Sequence, residues 1–440
     1  MRSTLRATRR EVLNGIVSGL GAGALPLLCA SRAGAQTGGA ALTTKLHADL
    51  VQHAAFGDKF SGGPGDLATA EWIAQRLRDS GYGVEESEFA APYFVRRAAR
   101  LTSGSAAVDV VPQAPVVPTS SAGITAPLAL VETETVDASV RGRIALVVAP
   151  FARHAALFAD RGIGKTVVEA TRQGAVAVLV ITTGPSGEAV ALNAPEQPFV
   201  PVPAAVLAPK QAAPFVAAAR AGASATLVLD GEATQRPCRN VVARIERGAR
   251  WLALSTPRSG WFGCVGERGT GTAVFLALAD WAARRFPELS VFAMNTGGHE
   301  YFFAGSHRVI DQAPEPKDTQ VWAHIGATLA ARDAEQRDGR LIMLERADPQ
   351  RSLMTTPAVR ALAAQAFAGL TGLDAPVAVR PQAGELSTFT DRGYANAFAV
   401  IGQHSWFHTV EDTLERVDAE LLAPVLGAHQ RLIERVVAGV

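Results

Sequence analysis

Two polar knots hold most of the side chains able to do chemistry in this 440-residue chain. The first is Gly298-His299-Glu300-Tyr301-Phe302-Phe303-Ala304-Gly305-Ser306, directly after an apolar run from Leu289 to Met294. The second is Phe407-His408-Thr409-Val410-Glu411-Asp412-Thr413. A histidine beside a carboxylate at the end of a strand is able to move a proton or hold a metal, and open α/β sheets bind ligands at such ends. Five of the nine histidines fall at 299, 307, 324, 404 and 408. His307 and His404 read as structural or surface residues. His324 lies on an apolar stretch and reads equally as a site residue and as a hydrogen-bonded core histidine. Glu267, in Gly266-Glu267-Arg268-Gly269-Thr270-Gly271, and Glu385, in Gly384-Glu385-Leu386-Ser387, add carboxylates. Arg258 adds a fixed cation, suited to a substrate carboxylate or, more plainly, to an ion pair with Glu267.

A metal-free chemistry is also open to these residues. His299 with Glu300 or Glu267 would activate Ser255, Thr256, Ser259 or Cys264 in a nucleophile–histidine–acid arrangement. The Gly-x-Ser-x-Gly elbow that often carries such a serine is absent. Loss of catalysis, with the pocket kept for binding, is the third outcome.

The elements around the knots alternate. Spacing predicts strands at 240–245, 251–255, 289–294, 321–329 and 397–401, and helices at 271–286, 356–370 and 418–437, with Asp418 as an N-cap. Such alternation implies an α/β fold, a mostly parallel mixed sheet with helices on both faces. Upstream, Ala68, Trp72, Ile73 and Leu77 mark an amphipathic helix over 66–80 that Gly81 stops, and a strand comes next at 83–89. Pro112, Pro115 and Pro118 then break the chain. Between 123 and 235 the texture differs: strands at 143–149, 175–181 and 225–229, with a short helix at 166–173, read as a small inserted α/β domain. No catalytic cluster is legible inside it; His154 and Lys165 read as surface residues. Residues 40–122 and 236–440 form the two parts of the main domain.

Composition narrows the function. Hydrophobic residues make up 48% and charged residues 19%, so the chain has ample core material. A net charge of +1 gives no electrostatic reason to expect nucleic acid. Residues 1–35 read as a twin-arginine signal: Thr8-Arg9-Arg10-Glu11-Val12-Leu13, a Gly/Ala-rich run, then Ala33-Gly34-Ala35 as a cleavage site. This predicts a periplasmic or secreted protein with no membrane attachment after cleavage. Cys238 and Cys264 would remain, as a disulfide or as two buried thiols.

The order of the knots resembles the zinc aminopeptidase and glutaminyl-cyclase superfamily, over residues 45–95 and 238–440. The insert resembles a protease-associated domain. The resemblance implies hydrolysis of a peptide or amide bond in a small substrate by a zinc (Zn2+) site. His408 with Thr409 and Asp412-Thr413 matches that family's late histidine ligand, Glu300 its ligand glutamate, and Glu267 the position of its bridging aspartate. Three positions depart. Ser255-Thr256-Pro257-Arg258 stands where the first histidine belongs, His299 replaces the general-base glutamate, and His324 is the one candidate for the fourth ligand, an aspartate. The usual two-zinc site therefore cannot form. Glu300 and His408 with one of His324, His299 or Glu267 would make a one-zinc site, with His299 as base and Glu385 orienting a ligand or holding an amine. Arg258 would fill the electrostatic role of a lost metal.

Overall fold

A helix over Leu27–Ala55 opens the part of the chain described by the structure, a computed structural model covering residues 27–154, 157, 162–380 and 384–439, with side chains from residue 39 onward. The twin-arginine pattern at Thr8 to Leu13 lies outside the described residues. Among the described residues no helix is long and apolar enough to cross a membrane. Residues Thr43–Val440 form one compact unit, and the site lies within it.

The sheet at its centre carries the site. Three neighbouring pairs, Ser290–Thr296 on Trp251–Pro257, Trp251–Pro257 on Thr319–Ile325, and Thr319–Ile325 on Ala397–Gly402, are all parallel. These strands are buried on both faces, which is why they read as continuous apolar runs. Helices Thr270–Arg285 and Ala419–Ala438 pack on this sheet, and Asp418 caps the second by accepting from the Glu420 amide at 2.8 Å. The carboxyl ends of the parallel strands deliver Ser255 to Ser259, Asn295 to Glu300, and His324 to one edge.

Antiparallel strands flank that core. The expected strands at 225–229 and 240–245 are one strand, Ser224–Ile245, paired with Gly83–Ser103 along nearly its whole length. The intervening Asp230 to Arg239 is polar, so no apolar run marked it; its backbone is satisfied by the partner strand. This ribbon joins the main sheet at Val241 to Ile245 and the insert at Ser224 to Leu227. A register shift between Arg96 and Ala98 lies between the two ends. The insert itself stacks Ile124–Val131, Ile144–Val148, Ala177–Ile181 and Ala204–Leu207 in parallel, with Val147, Val180 and Val206 facing one core and Leu146, Leu179 and Leu207 the other.

Other expectations were shorter or longer than the molecule. The helix at 356–370 is a 3-10 turn, Pro357–Val359, and a helix over Arg360–Ala366. The strand at 321–329 ends at Ile325, because Thr328 adopts φ +61 and turns the chain under Glu267. The hairpin Arg332–Arg337 with Arg340–Ala347 carried no legible pattern.

Candidate functional site

Glu267 owes its place to a distorted helix start. Residues Val265–Gly269 form a π-turn ahead of Thr270–Arg285, a form that often marks functional positions. Asp412 holds it from the second knot, accepting the Gly266 amide at 2.6 Å and the Glu267 amide at 3.0 Å. A Cβ on Gly266 would stand 2.7 Å from the Asp412 carboxylate, so only glycine fits. Replacing Asp412 with alanine is expected to cost roughly 2 kcal/mol, by leaving two buried amides unpaired. Urea unfolding would check this: a midpoint unchanged from wild type would remove Asp412 from the support of Glu267.

Arg268 decides the electrostatics. It is buried, and its Nη2 lies 2.8 Å from Glu267 Oε1 and 3.5 Å from Glu300 Oε1. Its Nε donates to the Ser259 carbonyl at 2.8 Å. Burial alone would lower the Arg268 pKa, but Glu267 and Glu300 outweigh it and hold the guanidinium charged. Burial likewise pushes the Glu267 carboxyl up, while Arg268 and His408 more than offset this and bring it to about 2. On the far side of Glu267, Oε1 lies 3.1 Å from His408 Nε2, and His408 Nδ1 lies 3.0 Å from the Ala191 carbonyl.

A second group lies beside the first. His299 Nδ1 is 3.5 Å from Glu385 Oε2, and His324 Nε2 is 3.9 Å from the same oxygen. Glu385 Oε1 accepts from Thr296 at 2.9 Å. Burial pushes the Glu385 carboxyl up; contact with His299 and its charge outweigh that and bring it to about 2. Burial lowers His324 to about 4, so near neutrality its ring is uncharged. Trp322 Nε1 donates to Ser255 Oγ at 2.8 Å, which leaves the serine proton for His324 Nδ1 at 2.9 Å. Ser255 and His324 are buried in the core, the histidine ring 5.3 Å from Phe389, which stacks on Trp322. Ser259 links the two groups: its Oγ donates to Glu300 Oε2 at 2.8 Å and accepts the His299 amide at 3.1 Å.

The expected residues thus separate into sets. Glu267, Glu300 and His408 gather around Arg268, and His299 and His324 around Glu385. Arg258 stands apart from Glu267, a correction to the expected ion pair between them. It is fully buried, with Nε 2.8 Å from Asp66 Oδ1 and Nη1 2.9 Å from Asn295 Oδ1. Sequence reasoning chose the wrong arginine: the pair with Glu267 is made by its immediate neighbour, Arg268. His154 is a second correction. It comes from the insert and lies 5.1 Å, ring to ring, from His408. Cys238 and Cys264 are buried free thiols, with Cys238 Sγ 3.4 Å from Asp66.

Strain marks the same place. Among the described residues, six of the seven non-glycine positions at positive φ lie in its segments: Phe262, Cys264, Phe302, Phe303, Thr328 and His408. Such conformations persist where surrounding packing over-determines them, and they collect at ligand sites.

Solved structures share this architecture. The zinc aminopeptidase of Bacillus subtilis superposes with a TM-score of 0.69 at 17% identity, over 89% of this chain and 94% of that one. The chain has the zinc aminopeptidase fold. An aminopeptidase from an Aneurinibacillus species gives 0.63 at 18% identity, over 90% of this chain and 93% of that one. A peptidase precursor of Shewanella amazonensis gives 0.69 at 15%, over 91% and 96%. No family model matches the sequence, and no curated protein matches it. The resemblance read from the two knots therefore holds as a resemblance of fold.

The aminopeptidase fold raises the question of zinc, and the donors here do not fit it. Among the described residues no group of three or more His, Cys, Asp or Glu side chains is arranged to hold a metal ion. A guanidinium lies between the two carboxylates that would be ligands, and the His408 nitrogens are both turned to acceptors. The expected one-zinc set of Glu300, His408 and a third ligand is not assembled.

Proposed function

We propose that this chain is a peptide-binding protein on the aminopeptidase fold that works without zinc. The observation that carries the reading is Arg268, whose buried guanidinium meets Glu267 and Glu300 together. Of the buried carboxylate oxygens here, Glu267 Oε2 has no hydrogen-bond donor among the described residues, and Glu300 Oε1 and Glu385 Oε2 meet only long ion-pair contacts, the shortest at 3.5 Å to Arg268 and to His299. Buried acceptors in that state favour a ligand that brings donors, and a peptide amine or amide does so. The names of the solved neighbours, peptidases among them, support a peptide as the ligand class.

Hydrolysis is the competing reading, favoured by His299, which faces Glu385 and is the most open polar group of the cluster. Neither serine of the cluster is bonded to its ring. Ser259 is spent on Glu300 and the His299 amide, and Ser255 is enclosed with His324. The twin-arginine pattern supports export to the periplasm, and the strand order of the insert supports a protease-associated type of domain.

Purified mature protein is expected to carry no stoichiometric zinc and to leave aminoacyl and acyl-peptide amides intact, while short peptides raise its melting temperature. Zinc retained at one ion per chain, or turnover lost in His299→Ala, would overturn the reading.

A further inference from the structure

The site described above is covered by a segment of the chain's own insert. Residues 189–194, between the insert strands Ala177–Ile181 and Ala204–Leu207, pass over both knots and bond to their backbone. The Ala191 amide donates to the His408 carbonyl at 2.9 Å, and the Ala194 amide to the Glu300 carbonyl at 3.2 Å. The Ala191 carbonyl meets His408 Nδ1 at 3.0 Å, and Asn193 Oδ1 accepts from Trp261 Nε1 at 2.8 Å. An extended peptide ligand would use the same backbone donors and acceptors.

Side chains along this strap alternate. Leu192 and Ala194 point into the insert core. Ala191 points the other way, its methyl packed with Trp261, Tyr301 and Ala304. The Trp261 and Tyr301 rings meet edge-on at 6.2 Å. With Phe60, Phe89 and Phe262 packed alongside, these side chains enclose the Ala191 methyl in an aromatic, apolar nest. Because its opposite face is anchored in the insert, the strap leaves only when the insert moves. The ribbon that carries the insert has an irregular register between Arg96 and Ala98. Two ion pairs tie the insert to the main domain: Arg153 to Asp348 at 2.6 Å and Arg308 to Glu196 at 2.8 Å.

We infer that the strap is an internal occupant of the ligand cleft, and that the pocket holding Ala191 takes a small apolar side chain, alanine first, from a peptide that binds once the insert lifts. This rests on the peptide-binding reading and adds to it a side-chain preference and a means of control. The ligand competes with the strap, so its apparent affinity is reduced by the fraction of molecules that are open.

The test uses the full mature chain, trialanine amide and triglycine amide as probes, calorimetry for affinity, and hydrogen exchange at the Ala191 and Ala194 amides. Arg153→Ala with Glu196→Ala should speed exchange at both amides and tighten trialanine amide at least fivefold. Triglycine amide should bind more weakly than trialanine amide in every form. Glu196→Ala alone, which removes an exposed pair and threatens folding least, should move both readouts in the same direction by less. Faster exchange with unchanged trialanine affinity would overturn the strap as an occupant while leaving peptide binding intact. Faster exchange with no binding of either peptide would overturn both. Equal affinity for the two peptides would overturn the alanine pocket.

Discussion

Arg268→Ala is expected to lower stability by about 3–5 kcal/mol, since it strands Glu267 and Glu300 as buried charges without their cation. The same change should create zinc affinity. With the guanidinium gone, Glu267, Glu300 and His408 are free to converge as a carboxylate–carboxylate–imidazole set, and the Ala191 carbonyl already orients the histidine. Zinc at a hundredfold excess over its Kd would then restore about 2.7 kcal/mol to the variant. Thermal melts with and without zinc measure both effects. Arg268→Met keeps most of the packed stem and separates lost charge from lost volume. A wild-type protein stabilised by zinc as strongly as the variant would show that Arg268 does not exclude the metal.

Acid should unfold the protein through Glu267. Its folded pKa of about 2 lies below its ordinary value of 4.5, held there by Arg268 and His408 against the upward push of burial. A carboxyl depressed on folding contributes stability that is complete above the unfolded value and disappears as pH falls through the folded one. Glu267 should therefore make unfolding free energies from urea titrations fall from about pH 5 toward pH 2, on top of the loss below about pH 7 that buried His324 contributes. Glu267→Gln should begin less stable and lose less across that window. An identical slope in the variant, or a flat profile in the wild type, would place the acid-sensitive group elsewhere. The prediction leans on Glu267 because its main offsetting partner is a guanidinium, charged at every pH in the window.

Some of the site was legible from residues alone. Glu267, Glu300 and His408 come together as their positions after strands implied, because a parallel sheet brings its strand ends to one edge whatever the loops between them. The second group, His299 with Glu385, is likewise near the first. The length of the ribbon was not legible, because polar residues on an exposed strand carry no alternation to count. Two adjacent helical residues and a distant arginine were not separable either. Arg258 and Arg268 are equally cationic as letters, and only the π-turn decides which of them faces Glu300.

The sequence by itself determined the α/β class, the order of the strands that feed the site and the residues that gather there. Apolar runs and their spacing are local properties, and the parallel sheet arises from them. Tertiary structure decided what the gathered residues are to one another. A guanidinium that reaches from Glu267 across to Glu300, a histidine turned to two acceptors, and an alanine of the insert packed with Trp261 and Tyr301 all join segments far apart in the chain. No spacing rule encodes such contacts, because each depends on packing that sets side-chain direction to within a rotamer. That is why the same knots that point to a zinc peptidase describe, once folded, a site closed by its own cation and its own strap.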